Sequence, residues 1–475
     1  MKRKKATGKV IGTALAAALI MTLLAVSLSA YTGEDAEKAY IVRYLDGGAA
    51  GQTDREDSVP FEVVSEAEMK RLRDAGLLEW YEPDGDAVLI DPEPDSVLLG
   101  TISPYYDDHQ WNLDMIGADA AFRNGRLGQG GRVGVLDSGV NPHPALAANL
   151  LPGHNYMEGA ADPEDTEDSF GHGTRVAGLI AAANESGYIG AAPGAGIVPL
   201  KITDGQTVKI SAVCRAIYGA VDDYSCDVLN LSLGVTTDYR SLEEAVRYAE
   251  EHRVVVVSAI GNGGGRARYY PALYDTVIGV GSVDSSGMIY YRSNHNEGVF
   301  VTAPGVDVRT TASTGGYVTS TGTSFAVPQV TAAAAVLRGI DGTLTPGEIR
   351  ELIAGTACDR GAEGYDEYYG HGILNLAGCV DALTGGMGEG MPCVLLPRTG
   401  PASKLRNDSD SIVRCTYLLA EYEENGRCIG VTSRQYVLAP GETVEIAVPG
   451  GGAGFGQFVC DTDTMVPLAE ARKSP

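Results

Sequence analysis

Four stretches of the chain place reactive side chains where an apolar run ends or a helix begins. "VGVLDSGV" carries Asp137, and "DSFGHGTRVAGLIAA" carries His172 between Gly171 and Gly173. "VVVVSAIGN" ends on Asn262, and "YVTSTGTSFAVPQV" carries Ser324. A serine hydroxyl is a weak nucleophile until a neighbouring base takes its proton. Histidine suits that task near neutral pH, and a carboxylate behind it holds one tautomer and stabilises the charged ring. An asparagine amide and a backbone N–H at a helix start can donate to the oxygen that turns negative when a carbonyl is attacked. These residue types specify acyl transfer through a covalent intermediate, with no cofactor required. Their order narrows the fold. Here Asp precedes His and His precedes Ser, whereas α/β-hydrolases run Ser, Asp, His with a G-x-S-x-G elbow. Ser324 sits in "GTSFA", without the final glycine. An order beginning with His, as in chymotrypsin, fails as well.

Taken singly, each residue has an ordinary structural explanation. Asp137 suits a turn, Asn262 a left-handed turn position, His172 a helix start, and Ser324 a helix N-cap. Their joint placement singles them out, because sites in open α/β sheets lie beyond the carboxyl ends of parallel strands. The elements that must position them are legible from about residue 110. "RVGVLDSG", "IVPLKI", "DVLNLSLG", "VVVVSAIGN" and "TVIGVGSV" read as buried strands, and "ISAVCRAIYGAVDDY", "RSLEEAVRYAEEH" and "TPGEIRELIAGTA" as helices. Strands alternating with helices predict a mostly parallel sheet with helices on both faces. Before it, residues 31 to about 95 predict a small α+β unit. There "KAYIVRYL" and "EWYEPDGDAVLI" read as strands and "VSEAEMKRLRDAGLL" as a helix, and a Pro- and Asp-rich connector follows. After Pro392, short strands joined by "ENG" and "PGE" turns predict a small all-β module.

"VLDSGV", "HGTRVAG" and "GTSFAVPQV" resemble the three motif blocks of the subtilisin-like serine proteases, the subtilase family, and "SAIGN" resembles that family's oxyanion segment. The resemblance runs from about Gln110 to Leu383. Phe325, Val327 and Gln329 depart from residues common after the nucleophile, without removing a catalytic atom. The resemblance implies a serine endopeptidase with Asp137, His172 and Ser324 as triad and Asn262 as oxyanion donor. It implies a substrate cleft walled by Leu231 to Gly234, including Ser232, Leu233 and Gly234, and by Ser258 to Gly261, including Ala259 and Gly261. An extended peptide would add as a strand along the Leu233–Gly234 edge. The floor would come from "GGGRARYYPAL", where Arg266 or Arg268 either lines the pocket or stands exposed on a loop. No metal is required. Structural calcium has a candidate loop in "NESGYIG", but Asn184, Glu185 and Ser186 offer too few oxygens to identify a site.

The resemblance extends to the N-terminal unit, from "AYIVRY" to "YEPDG", as an inhibitory and folding propeptide. The implied arrangement is 1–30 signal peptide or membrane anchor, 31–100 propeptide, 101–385 peptidase and 393–475 β-rich accessory module. Self-cleavage is expected between about Leu89 and Tyr105, most favourably in "SVLLGTIS". The N-terminus supports export: "MKRKK" precedes an apolar run from Val10 to Leu28 and the small residues "SLSA", which leaves cleavage and retention as an anchor both open. A net charge of −26 excludes nucleic acid as a partner, since phosphate binding needs clustered Lys and Arg. Protein or peptide substrates and the chain's own propeptide are the expected partners. The eight cysteines are compatible with disulfides outside the cytoplasm, and none is spaced for zinc. The competing reading is an inactive subtilase fold serving as a binding scaffold of the cell envelope.

Overall fold

The computed structural model describes residues 38–45, 59–90, 110–123, 126–183, 188–205, 207–384, 393–399, 402–407, 413–422, 428–439, 442–447, 454–461 and 467–473. The N-terminal stretch expected to direct export, "SVLLGTIS" and Asn184 to Ser186 lie outside these residues. The chain divides into two compact units, and the boundary falls between Asp84 and Gly85.

The first unit is an antiparallel sheet with one helix. Strands β1 (Ala39–Tyr44), β2 (Glu62–Ser65) and β3 (Leu78–Pro83) pair in the order β2-β1-β3, and helix α1 (Glu66–Asp74) connects the last two. Ser65 starts the helix by accepting the Glu68 N–H at 3.3 Å. Acidic Glu66 and Glu68 in the first turn and basic Arg71 and Arg73 in the last complement the helix dipole. Val42, Met69 and Leu72 form its core. The stretch "EWYEPDGDAVLI", expected as one strand, is divided by the turn-forming pair Asp84-Gly85. Its second half, strand β4 (Asp86–Leu89), belongs to the second unit.

After β4 come helices α2 (Trp111–Met115) and α3 (Ala118–Arg123), strands β5 (Arg132–Asp137) and β6 (His154–Asn155), and helix α4 (His172–Ala181). Strands β7 (Gly196–Lys201) and β8 (Thr207–Lys209), helix α5 (Ile210–Asp222), strands β9 (Val228–Leu231) and β10 (Leu233–Gly234), and helix α6 (Arg240–Glu251) follow. Then come β11 (Val255–Ala259), β12 (Val277–Val283), β13 (Val301–Pro304), the hairpin β14 (Val308–Thr311) and β15 (Tyr317–Ser320), and helix α7 (Thr323–Ile340).

Seven of these strands form one wholly parallel sheet in the order β13-β12-β11-β9-β5-β7-β6. Strands β9, β11 and β12 are buried throughout, and runs such as Val255-Val256-Val257 suit a sheet covered on both faces. Helices α4 and α7 pack together against the sheet, and α5 and α6 form a second pair. Helix α7 is buried from Thr323 to Arg338. Its run Ala332 to Ala335 lacks bulk, so the helix can be enclosed on all sides. This is the α/β architecture expected from the strand–helix alternation. Among the described residues no helix is long and apolar enough to cross a membrane.

Beyond residue 392 the expected β-rich part is present as two antiparallel sheets. One orders Cys393–Thr399, Ala402–Asn407 and Thr443–Ala447. The other orders Cys428–Leu438, Val413–Tyr422, Gly454–Asp461 and Pro467–Lys473.

Candidate active site

In the parallel sheet β7 and β6 lie on one side of β5, and β9, β11, β12 and β13 on the other. The carboxyl ends of β5 and β9 therefore flank a topological switch point, where open α/β sheets form their crevices. Asp137 is the last residue of β5, and Ser232 follows the end of β9. Both are wholly buried.

Asp137 meets His172 across this crevice. The His172 Nδ1 lies 2.8 Å from Oδ1 and 2.9 Å from Oδ2 of Asp137. A carboxylate can only accept, so Nδ1 carries the proton and Nε2 of the neutral ring presents its lone pair. That Nε2 is buried and has no hydrogen-bond partner among the described residues. Gly173 makes the approach possible. A Cβ there would stand 2.1 Å from the Gly139 carbonyl oxygen and 3.0 Å from the Asp137 Cβ, so a larger residue would push the helix start from the strand end.

An acid passed over in the sequence reading holds this helix start. Asp168 is buried and accepts from Ser138 Oγ and the Gly171 N–H, each at 2.6 Å. It also accepts the Thr174 N–H at 2.8 Å and Thr174 Oγ1 at 2.6 Å. The Ser138 hydroxyl in turn accepts the Gly173 N–H at 3.0 Å. The available signal was an acid just ahead of a helix N-terminus, where carboxylates satisfy orphan amides.

Ser324 is the second residue of α7, and its side chain is buried. Pro328 four positions on has no N–H to give the Ser324 carbonyl. The Ser232 hydroxyl supplies the missing donor at 3.0 Å, while itself accepting from Asn230 Nδ2 at 3.1 Å. Thr331 completes the chain by donating to Asn230 Oδ1 at 3.0 Å. The neighbouring Phe325, wholly buried, sets its ring against His172 with centroids 5.5 Å apart. Gln329, another departure inside this helix, is buried and bonded to Asn112 and to the Pro304 carbonyl.

Asn262 sits just past β11. Its Oδ1 accepts both the N–H and the hydroxyl of Thr323, each at 3.0 Å. The Thr323 N–H can only donate, so the amide is fixed with oxygen toward Thr323 and its NH2 end left to donate elsewhere. Buried Asn294 braces the surrounding loop. It accepts the Gly263 N–H at 2.9 Å and donates to the carbonyls of Ile260 and Ala267 at 3.1 and 3.2 Å.

The crevice holds part of the chain itself. Strand β4 lies between β10 and β8, antiparallel to both, with Leu89 opposite Leu233 and Val88 opposite Gly234. The Ile90 N–H donates to the Ser232 carbonyl at 3.0 Å, and the Ser324 hydroxyl donates to the Ile90 carbonyl oxygen at 2.6 Å. Ala87, Leu89 and Ile90 are buried, while Val88 points outward. The Leu233–Gly234 edge thus receives an added strand, supplied by residues of this chain.

Ala259 ends β11, and Gly261 stands in the loop before Asn262. Of the two arginines considered for the pocket, Arg266 pairs with Glu367 and Arg268 with Glu297. Both guanidiniums are exposed, which matches the surface alternative. From that segment it is Tyr269, which the sequence reading did not single out, that sets its ring against Gly234 and Gly261. Among the described residues no group of three or more His, Cys, Asp or Glu is placed to hold a metal ion. Cys226, Cys358 and Cys379 are free thiols.

A parallel α/β sheet with a buried carboxylate–imidazole pair and a serine at a helix start defines a serine hydrolase class. Comparison with known proteins specifies it. The subtilase family matches residues 128–372. The chain is similar to an alkaline protease of Alkalihalobacillus alcalophilus, 30% identical over 390 residues, which are 78% of this chain and 98% of that one. It is 36% identical over 268 residues to subtilisin BL of Lederbergia lenta, covering 56% of this chain and 96% of the relative. An M-protease of Shouchella clausii is 31% identical over 398 residues, 78% of this chain and 98% of that protein. The chain belongs to the subtilase family and is a serine endopeptidase.

Proposed function

We propose that this chain is an exported subtilisin-type endopeptidase, made as a zymogen that cuts itself at the Ile90–Asp91 bond. The observation that carries this reading is the Ile90 carbonyl 2.6 Å from the Ser324 hydroxyl, in a strand held on the β10 edge. The carbonyl carbon is one bond, about 1.23 Å, from that oxygen. The Ser324 hydroxyl first turns its proton from the Ile90 oxygen toward His172 Nε2, which takes it as Oγ attacks this carbon, and Asp137 stabilises the imidazolium. The Asn262 NH2 and the Ser324 N–H, one of the orphan donors of α7, stabilise the oxyanion. His172 then returns the proton to the leaving amine of Asp91, and water releases the acyl group from Ser324. The carboxylate formed on Ile90 stays on the β10 edge, so the product segment inhibits until it is removed. The bond lies at the near end of the expected Leu89 to Tyr105 window, ahead of "SVLLGTIS".

The basic, apolar and small-residue sequence at the N-terminus supports export. Protein and peptide substrates follow from the endopeptidase class. The test is N-terminal sequencing of wild type and Ser324→Ala after fluorophosphonate labelling. Wild type should label and begin at Asp91, whereas Ser324→Ala should neither label nor lose residues 31 to 90. A Ser324→Ala chain trimmed at the same bond would show that another protease matures it.

A further inference from the structure

We infer that this peptidase cuts after medium-sized aliphatic side chains, and that Tyr269 sets the limit. The inference rests on the proposed placement of Ile90 as the residue preceding the cleaved bond.

The Ile90 side chain is 3% exposed, so its surroundings form a closed pocket. Two glycines make the walls. A Cβ on Gly234 would lie 3.2 Å from Ile90 Cδ1 and 2.8 Å from Tyr269 Cδ1. A Cβ on Gly261 would lie 2.9 and 3.1 Å from Cδ2 and Cε2 of Tyr269. One edge of the tyrosine ring therefore faces each wall, and the ring spans the space between them beside the end of the isoleucine. The absence of both Cβ atoms opens a slot, and Tyr269 fills its far part.

The ring cannot easily withdraw. Tyr270, next in the chain, is bonded in both directions to Val235, with N–H to O distances of 2.8 and 2.9 Å. On the other side the Ala267 carbonyl is held by Asn294 and Asn296. Tyr269 is also packed against the main core. A phenylalanine or tyrosine preceding the cleaved bond would need the volume this ring already occupies, and overfilling a packed site is unfavourable. Acidic residues gain nothing here, because Arg266 and Arg268 are engaged with Glu367 and Glu297 at the surface.

The experiment uses mature enzyme purified from the full chain and tetrapeptide anilides that differ only before the cleaved bond. Differences of a single methylene in such pockets are worth roughly 10–200-fold in kcat/KM. Wild type should favour Ile, Val and Leu over Phe and Tyr by at least ~10-fold. Tyr269→Gly should raise kcat/KM for Phe relative to Ile by at least ~10-fold, mainly through KM. Arg268→Ala, outside the pocket, should keep the wild-type order. Fluorophosphonate labelling, which needs no such side chain, reports separately on the nucleophile. Enzyme that labels but prefers aromatic residues overturns the inference and leaves the proposed function standing. So does Tyr269→Gly that labels with an unchanged profile. A wild-type chain that neither labels nor cuts any peptide overturns both.

Discussion

At the scale of single residues the site is a set of mutually fixed protons and lone pairs. Asp137 orients His172 at 2.8 Å, which leaves Nε2 as the only ring atom able to take a proton. Ser324→Ala and His172→Ala should each lower kcat by about 10⁶-fold, the magnitude set by subtilisin itself. The double variant should be little worse, because the pair acts as one unit. Turnover with a peptide anilide checks both, and near-normal rates in either single variant would sink the assignment. Asn262→Leu should lower kcat by about 10²–10³-fold, again subtilisin's own magnitude, with KM little changed. A large rise in KM at constant kcat would make Asn262 a substrate-binding or loop residue instead.

At the scale of elements, the chemistry depends on where helices begin. Helix α4 starts against the end of β5 because residue 173 has no side chain and Asp168 gathers the donors around it. Gly173→Ala brings a methyl to 2.1 Å from the Gly139 oxygen, so the helix start must shift. A displacement of about 1 Å can cost roughly 10²-fold in rate, and kcat should fall by that order while Ser324 still labels slowly. Asp168→Ala leaves several buried donors without their acceptor. At ~1–3 kcal/mol for each group not rescued by water, stability should drop by at least about 2 kcal/mol, read from denaturant unfolding. Unchanged stability would mean that Asp168 is not the anchor. The positions of Asp137, His172, Asn262 and Ser324 at element ends were legible because apolar runs end visibly at each of them. Asp168 was passed over: three of its four donors sit at the nearby helix start, but only the fold brings Ser138 to it.

For the whole molecule, the parts differ in what they owe one another. Among the described residues the two sheets beyond residue 392 draw no strand from the peptidase sheet, and the subtilase match ends at residue 372. A chain ending at residue 385 should therefore keep fluorophosphonate labelling and peptide cleavage at rates near those of the full chain. Loss of both would make the terminal sheets part of the peptidase fold. The buried thiols are a second test. Burial pushes Cys226 up to about 12 and Cys379 up to about 11, whereas Cys358 is exposed. At pH 8 the thiolate fractions of the two buried groups are about 10⁻⁴ and 10⁻³. Alkylation of native protein, mapped by mass spectrometry, should modify Cys358 and spare Cys226 and Cys379.

The sequence alone determined the parallel α/β sheet and the family, and pointed to Asp137, His172, Asn262 and Ser324, because strand ends and helix starts carry local signatures of period, glycine and cap. The resemblance to the family implied two cleft walls as well, at Leu231 to Gly234 and at Ser258 to Gly261. The sequence reading misjudged "EWYEPDGDAVLI", where periodicity is the same whether a strand joins its own unit or adds to another edge. Only the tertiary structure decided that β4 enters the crevice between β10 and β8, and that Ile90 meets Ser324. The same holds for Tyr269: an aromatic in a loop carries no local sign of what it faces. Its meaning comes from two glycines, Gly234 on strand β10 and Gly261 earlier in its own loop, whose missing side chains make the space its ring fills.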